Sequence, residues 1–193
     1  MQTQTNISTI PEARTPSLSE CDELMARYAM LPNIVAHSRQ VMRVALAVAD
    51  NLKNGAAVDR DLVMAAALLH DITKTRALES KESHDRTGGA LLRELGFPCV
   101  GEIVEQHVVL SGFDPQARLS EREIVNYADK RVMHDRIVSL KERLEDLIRR
   151  YGATEAAIAS IRRNQQTAYA IEKKIRAAMA IDLESAIRAA ARA

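Results

Sequence analysis

Five side chains of cation-binding type sit where a polar group is costly. His37 lies three residues after Ile34 and four before Val41, on the apolar stripe of a helical segment. His107 lies four after Ile103 and three after Val104, again on an apolar face. Asp129, four after Val125 and three before Val132, points inward by the same spacing. His70 and Asp71 close the apolar run Leu62 to Leu69, and an aspartate there meets the negative end of the helix dipole. Burying an uncompensated carboxylate costs roughly several kcal/mol. A single histidine on an apolar face is more often a hydrogen-bonded core residue, and a lone inward aspartate more often a cap or an ion-pair partner. The conjunction is different, because a divalent cation would compensate several of these groups at once. Mixed imidazole and carboxylate ligation suits Fe, Mn, Zn, Co or Ni, with one or two ions, and does not choose among them.

The elements that must position these groups read as helical nearly throughout. A first helix is expected from about Leu18 to Met30, capped by Ser17 or Ser19. Pro32 opens a second, whose stripe is Ile34, Val41, Val44, Ala45, Val48 and Leu52, with Gly55 as its stop. A third starts near Asp59 or Asp61 and is apolar on all sides, so it should be central. Thr73 to Ser83 is polar and reads as a loop. Helices follow from about Arg86 to Gly96 and from Pro98 to about Val108, then a loop over Val109 to Leu119. Ser120 with Glu123 and Ser139 with Glu142 are capping-box patterns, before helices reaching roughly His134 and Gly152. Thr154 caps a last Ala-rich helical region. No segment alternates with period two, so the class is all-α. The expected division is a mobile tail over 1–17, a helical metal-binding domain over 18–136 and a helical extension over 137–193.

Composition excludes several alternatives. The chain has 193 residues with 27 Lys+Arg against 26 Asp+Glu, a formal net charge of +1. No basic field points to a nucleic-acid polymer, and with 3% aromatics and no Trp there is no stacking platform. No apolar stretch is long enough for a membrane span, and the N-terminus lacks the pattern of a secretory signal. Cys21 and Cys99 are too few for a disulfide scaffold, which suits a reducing, cytoplasmic setting. Neither has a neighbour that would activate a thiolate.

The order His37, then His70-Asp71, then Asp129 resembles the signature of the HD-domain superfamily of metal-dependent phosphohydrolases. The string Leu68-Leu69-His70-Asp71-Ile72-Thr73-Lys74 is similar to its central motif, and Tyr127-Ala128-Asp129-Lys130 to its last. His84, in His84-Asp85-Arg86-Thr87-Gly88-Gly89, and His107, in Glu105-Gln106-His107, fall where a subset of the superfamily carries two additional histidines. The resemblance covers roughly Asn33 to Arg136; the chain beyond matches no motif.

The resemblance implies an HD-type helical bundle. It also implies a metal-dependent phosphohydrolase acting on a small phosphorylated metabolite or nucleotide. In such a site His37, His70, Asp71 and Asp129 bind one metal, and Asp71 bridges to a second held by His84 and His107. The cations activate a hydroxide and polarise a phosphoryl oxygen. Lys74 is the candidate catalytic, substrate-facing cation, while Arg86 and Lys130 are candidates for substrate binding. Gly88-Gly89 would allow either a close approach to the pocket or tight helix packing. His134 reads as a surface residue, and the run Lys141 to Arg150 as a solvated face. The stripe Ile158, Ile161, Ile171, Ile175, Met179, Leu183 and Ile187 must cover either the domain's own back or a second subunit, so a homodimer through it is one expectation. Two alternatives use the same ligands: a di-iron oxygenase, and a catalytically silent metal-binding regulatory module.

Overall fold

The computed structural model describes residues 14–54 and 57–192. The expected stop at Gly55 and most of the expected tail lie outside these residues. Among the described residues there are ten α-helices and one two-stranded hairpin. No described helix is long and apolar enough to cross a membrane.

Local chemistry sets most helix starts. In α1 (Leu18–Arg27) Ser17 and Glu20 cap each other's backbone N–H groups. Pro32 is the first residue of α2 (Pro32–Ala49), where its missing N–H costs nothing. Asp59 accepts from the Leu62 N–H at 3.0 Å and starts α3 (Arg60–Leu69). Every residue from Val63 to Leu69 is buried, as the all-round apolar run requires. This central helix packs on α1 and α2, and on α6 (Pro98–Glu105) and α7 (Glu121–Lys130).

Thr73 to Ser83, expected as a loop, contains α4 (Lys74–Ser80). None of its residues is buried, so periodicity had no apolar stripe to report. It ends on Lys81 in the left-handed region, φ 60°. Next, α5 (His84–Glu94) starts two residues earlier than expected. Here α6 ends at Glu105, so His107 follows the helix instead of riding on it. The backbones of α5 and α6 nearly touch: a Cβ on Gly89 would lie 2.7 Å from the Gly101 carbonyl oxygen. Gly88-Gly89 therefore serves tight helix packing.

A further correction concerns α7, which stops at Lys130 instead of His134. A hairpin follows, β1 (Val132–Met133) against β2 (Arg136–Ile137), turning through His134 at φ 58°. Two-residue strands are too short to leave an alternation signal. The capping box of α7 is half made: Glu123 accepts from the Ser120 N–H at 2.9 Å, but the Ser120 hydroxyl is buried without a partner.

The C-terminal segment is α8 (Leu140–Tyr151), α9 (Glu155–Ala178) and α10 (Leu183–Ala190). It shares the main core. Ile171, Ile175, Met179, Leu183 and Ile187 are buried among the chain's own helices, with α9 on α7 and α10 on α2. A backbone bridge between Leu52 and Met179 ties the end of α2 to the α9–α10 turn. Buried Arg131 forks onto Glu184 of α10 at 2.9 and 3.0 Å and also donates to Tyr127 and to the Val138 carbonyl. It is a bolt between layers. At the other end, Arg14 pairs with Glu20 at 2.7 Å and lies over the Phe97 ring, so the described end of the expected tail is tethered.

Candidate metal centre

Five separated stretches bring six ligand-type side chains to one place. His37 comes from the first half of α2 and Asp129 from the last turn of α7. His70 is the C-cap of α3, with Asp71 next to it; His84 is the first residue of α5, and His107 follows the C-cap of α6. One ligand atom each from His37, His70 and Asp71 fall within 4.8 Å of one another, as do those from Asp71, His84 and His107. Asp71 belongs to both groups. Asp129 joins the first, its Oδ1 lying 3.1 Å from His37 Nε2 and 3.8 Å from His70 Nε2.

The imidazoles are oriented from behind. Nδ1 of His37 donates to the His134 carbonyl at 2.8 Å, that of His70 to Ala67 at 2.8 Å, and that of His107 to Val104 at 2.6 Å. A carbonyl oxygen only accepts, so each Nδ1 carries a proton, and a ring without a second proton presents its Nε2 lone pair to the centre. The Nε2 atoms face carboxylates. His70 Nε2 is 3.4 Å from Asp71 Oδ2, and Asp71 Oδ1 is 3.2 Å from His84 Nε2 and 3.6 Å from His107 Nε2. His70 Nε2 and Asp71 Oδ1 are both buried without a hydrogen-bond partner. Lone pairs that face one another in a buried place repel unless a cation sits among them or a ring takes a second proton. The residues present therefore fit a divalent metal.

Electrostatics agree. Burial alone would raise Asp71, but the surrounding imidazoles outweigh it and hold the carboxyl well below its ordinary range. Asp129 behaves likewise, with burial opposed by His37, Arg143 and His70. Burial opposes the charged form of His70, and the Asp71 carboxylate reverses this and raises it. His107 is lowered, burial being the main cause.

The other expected site residues divide. Lys74 is at the centre: its ammonium donates to Asp71 Oδ2 at 2.8 Å, and that pairing outweighs burial and raises its pKa. Lys130 lines the cavity over the centre, but its ammonium is occupied, donating to the carbonyls of His107 at 3.0 Å and Asn126 at 3.3 Å. Burial pushes it down to about 8. Arg86 is exposed and lines a separate cavity of about 620 Å³ on the other side of His84. His134 is exposed as expected, yet its backbone carbonyl holds His37.

Sequence reasoning missed the supports. Asn126 donates to the carbonyls of Gln106 and His107, both at 3.0 Å. Thr73 donates to the His84 carbonyl at 2.8 Å. Asn126 had one signal, since it lies one turn before Asp129 on the same face of α7. Also missed was the far wall of the cavity, supplied by α8 and α9 through Arg143, Leu147, Tyr151, Ile161, Asn164 and Gln165. The run Lys141 to Arg150 is therefore not merely a solvated face; Asp146 within it is buried.

The HD domain profile matches residues 34–134, more than half of the chain and the whole span of the six ligand-type residues. The chain belongs to the HD-domain family. HD domains form a superfamily of metal-dependent hydrolases, and the ligand-type residues of this HD domain can hold a divalent metal. An uncharacterized protein of Methanocaldococcus jannaschii (MJ0778) is 30% identical over 143 residues, 67% of this chain and 83% of that protein. Two relatives are named tRNA (cytidine(56)-2'-O)-methyltransferase. That of Picrophilus torridus is 32% identical over 58% of this chain and 35% of its own length. That of Thermoplasma volcanium is 29% identical over 74% of this chain and 44% of its own length. No solved structure matches this HD-domain chain.

Proposed function

We propose that this HD-domain protein is a metal-dependent phosphohydrolase that cleaves the phosphoester of a small phosphorylated metabolite or nucleotide. The observation that carries the reading is the pair of orphaned buried atoms, His70 Nε2 and Asp71 Oδ1, with the Lys74 ammonium beside them under a cavity of about 510 Å³. That volume suits a small organic ligand.

His37, His70, Asp71 and Asp129 would hold one ion, and Asp71 with His84 and His107 a second. A divalent metal bound there supplies the acidity that activates water and polarises a phosphoryl oxygen. Asp71, shared by the two groups, fixes their separation. Lys74 places a positive charge beside the reacting phosphoryl group, where negative charge grows as the ester bond breaks. Asn126 and Lys130 hold the His107 carbonyl, and Thr73 holds that of His84, so the main chain that carries both rings is anchored.

Methyl transfer to tRNA belongs to relatives of which this chain spans only 35% and 44%, and imidazoles and carboxylates around a cation serve hydrolysis better than methyl transfer. The test is elemental analysis of protein purified without chelator, then a screen of phosphoesters against Fe, Mn, Zn, Co and Ni. Metal-dependent phosphate release that Asp71→Ala abolishes is the expected result. A fully metal-loaded protein that releases no phosphate across the screen overturns the reading, as does oxygen uptake in place of phosphate release.

A further inference from the structure

The family match ends at residue 134, but the cavity above the ligands continues beyond it. Its far wall is α8 and α9, and two features of the cavity have no role in holding metal.

The first is Arg143. Its side chain is 12% exposed and lines the cavity. Only Nη1 has an acceptor, Asp146 Oδ2 at a long 3.5 Å, while Nε is buried with no partner. Asp146 is held more closely by Arg149, at 2.5 Å. A guanidinium has five N–H donors in a rigid fork, and leaving them unmatched in a buried place is costly unless an acceptor enters. Arg143 also shares the cavity lining with His84, His107 and Asp129.

The second feature is apolar. Leu78 of α4 and Tyr151 of α8, each 54% exposed, line the same cavity with Leu147 and Ile161. Large apolar groups gathered at a pocket, next to a cationic and ligand-lined floor, match a ligand with one anionic and one apolar end.

We propose that the α8–α9 wall makes this a site for phosphomonoesters with an aromatic or otherwise apolar leaving group. Arg143 grips the phosphate oxygens with its fork, and Leu78, Leu147, Tyr151 and Ile161 receive the apolar end. This deepens the phosphohydrolase reading and rests on it for the placement of the phosphate. Small, uniformly polar phosphates would leave the apolar half of the cavity unfilled.

The test is calorimetric titration of the full-length protein, with measured metal content, using inorganic phosphate and phenylphosphonate. Neither probe needs turnover. Phenylphosphonate should bind at least about tenfold more tightly than phosphate, roughly the effect of one good apolar contact. Arg143→Met should weaken both probes by a similar factor, about tenfold or more, and Arg143→Lys by less, because it keeps charge without the fork. Leu147→Asn should weaken phenylphosphonate alone. Equal wild-type affinities for the two probes, or an Arg143→Met protein that binds phosphate as wild type does, overturns the proposal. If Arg143→Met does not fold, Arg143→Lys decides, and a phosphate affinity within twofold of wild type overturns the role. Selective binding without hydrolysis of phenyl phosphate would remove the phosphohydrolase reading and leave the cradle. Hydrolysis without selectivity would do the reverse.

Discussion

His37 Nε2 and Asp129 Oδ1 lie 3.1 Å apart, although 92 residues separate them in the chain. The other nitrogen of His37 is bound to the His134 carbonyl, so the ring cannot turn to relieve the approach. The contact thus joins α2 to α7 only when something positive, a proton or a metal ion, lies between the two atoms, and a metal bound there would become part of what holds these helices together.

Chelation should therefore lower the melting temperature. An ion present at a hundred times its dissociation constant adds about 2.7 kcal/mol, or roughly 5–10 °C for a chain of this size. Asp71→Ala, which removes the carboxylate common to both groups, should lose metal and turnover together, and Asp129→Ala should lose metal and melt lower. Elemental analysis and melting with and without chelator check this; a parent protein indifferent to chelator contradicts it.

Gly89→Ala would put a methyl group 2.7 Å from the Gly101 carbonyl oxygen and force α5 and α6 apart. The expected cost is about 1–3 kcal/mol. Because His84 begins α5 and His107 follows α6, metal stoichiometry should fall with it, toward one ion if two are bound. Calorimetric unfolding and metal counting on one preparation read both effects.

His134 acts through its main chain. His134→Gly keeps the carbonyl and relieves a left-handed residue, so metal affinity should stay within about twofold and stability should not fall. His37→Ala should lose metal. A large loss of metal in His134→Gly would mean that its exposed ring takes part after all.

Glu184 gives a pH signature away from the centre. Its hydrogen bond with Arg131 holds the carboxyl below its ordinary range. A carboxylate lowered in the folded state contributes stability that is present above its unfolded pKa and is lost as pH falls through the folded one. At pH 7 Glu184→Gln should melt about 2–4 °C below the parent, the effect of about 1 kcal/mol for a partly exposed pair. The gap should close below about pH 4, within reach of the unfolded value. A gap constant from pH 7 to 3 would show that packing, not charge, is responsible.

The ligand-type residues that the fold gathers were legible because a polar group in an apolar pattern is anomalous: His37 and Asp129 interrupt apolar stripes, and the His70-Asp71 doublet ends a run with no polar face. Caps such as Ser139 with Glu142 were legible because a few neighbouring residues decide them. What was not legible depended on tertiary partners. The α4 helix has no buried residue to set a period, and the hairpin after Lys130 is too short for one. Lys130 and Arg131 looked alike in sequence; one binds carbonyls under the cavity and the other bolts α10, which only the fold decides. Arg143 looked like one more charge in a charged helix until α9 closed over it.

The contact between Gly89 and Gly101 is main chain against main chain. Rotamer changes cannot widen or narrow it, so the main-chain spacing of α5, which His84 begins, and α6, which His107 follows, is a property of the helix axes. Any ion held by Asp71, His84 and His107 would then meet a spacing inherited with the scaffold, and repainting the rim of the cavity with new side chains would leave that spacing unchanged.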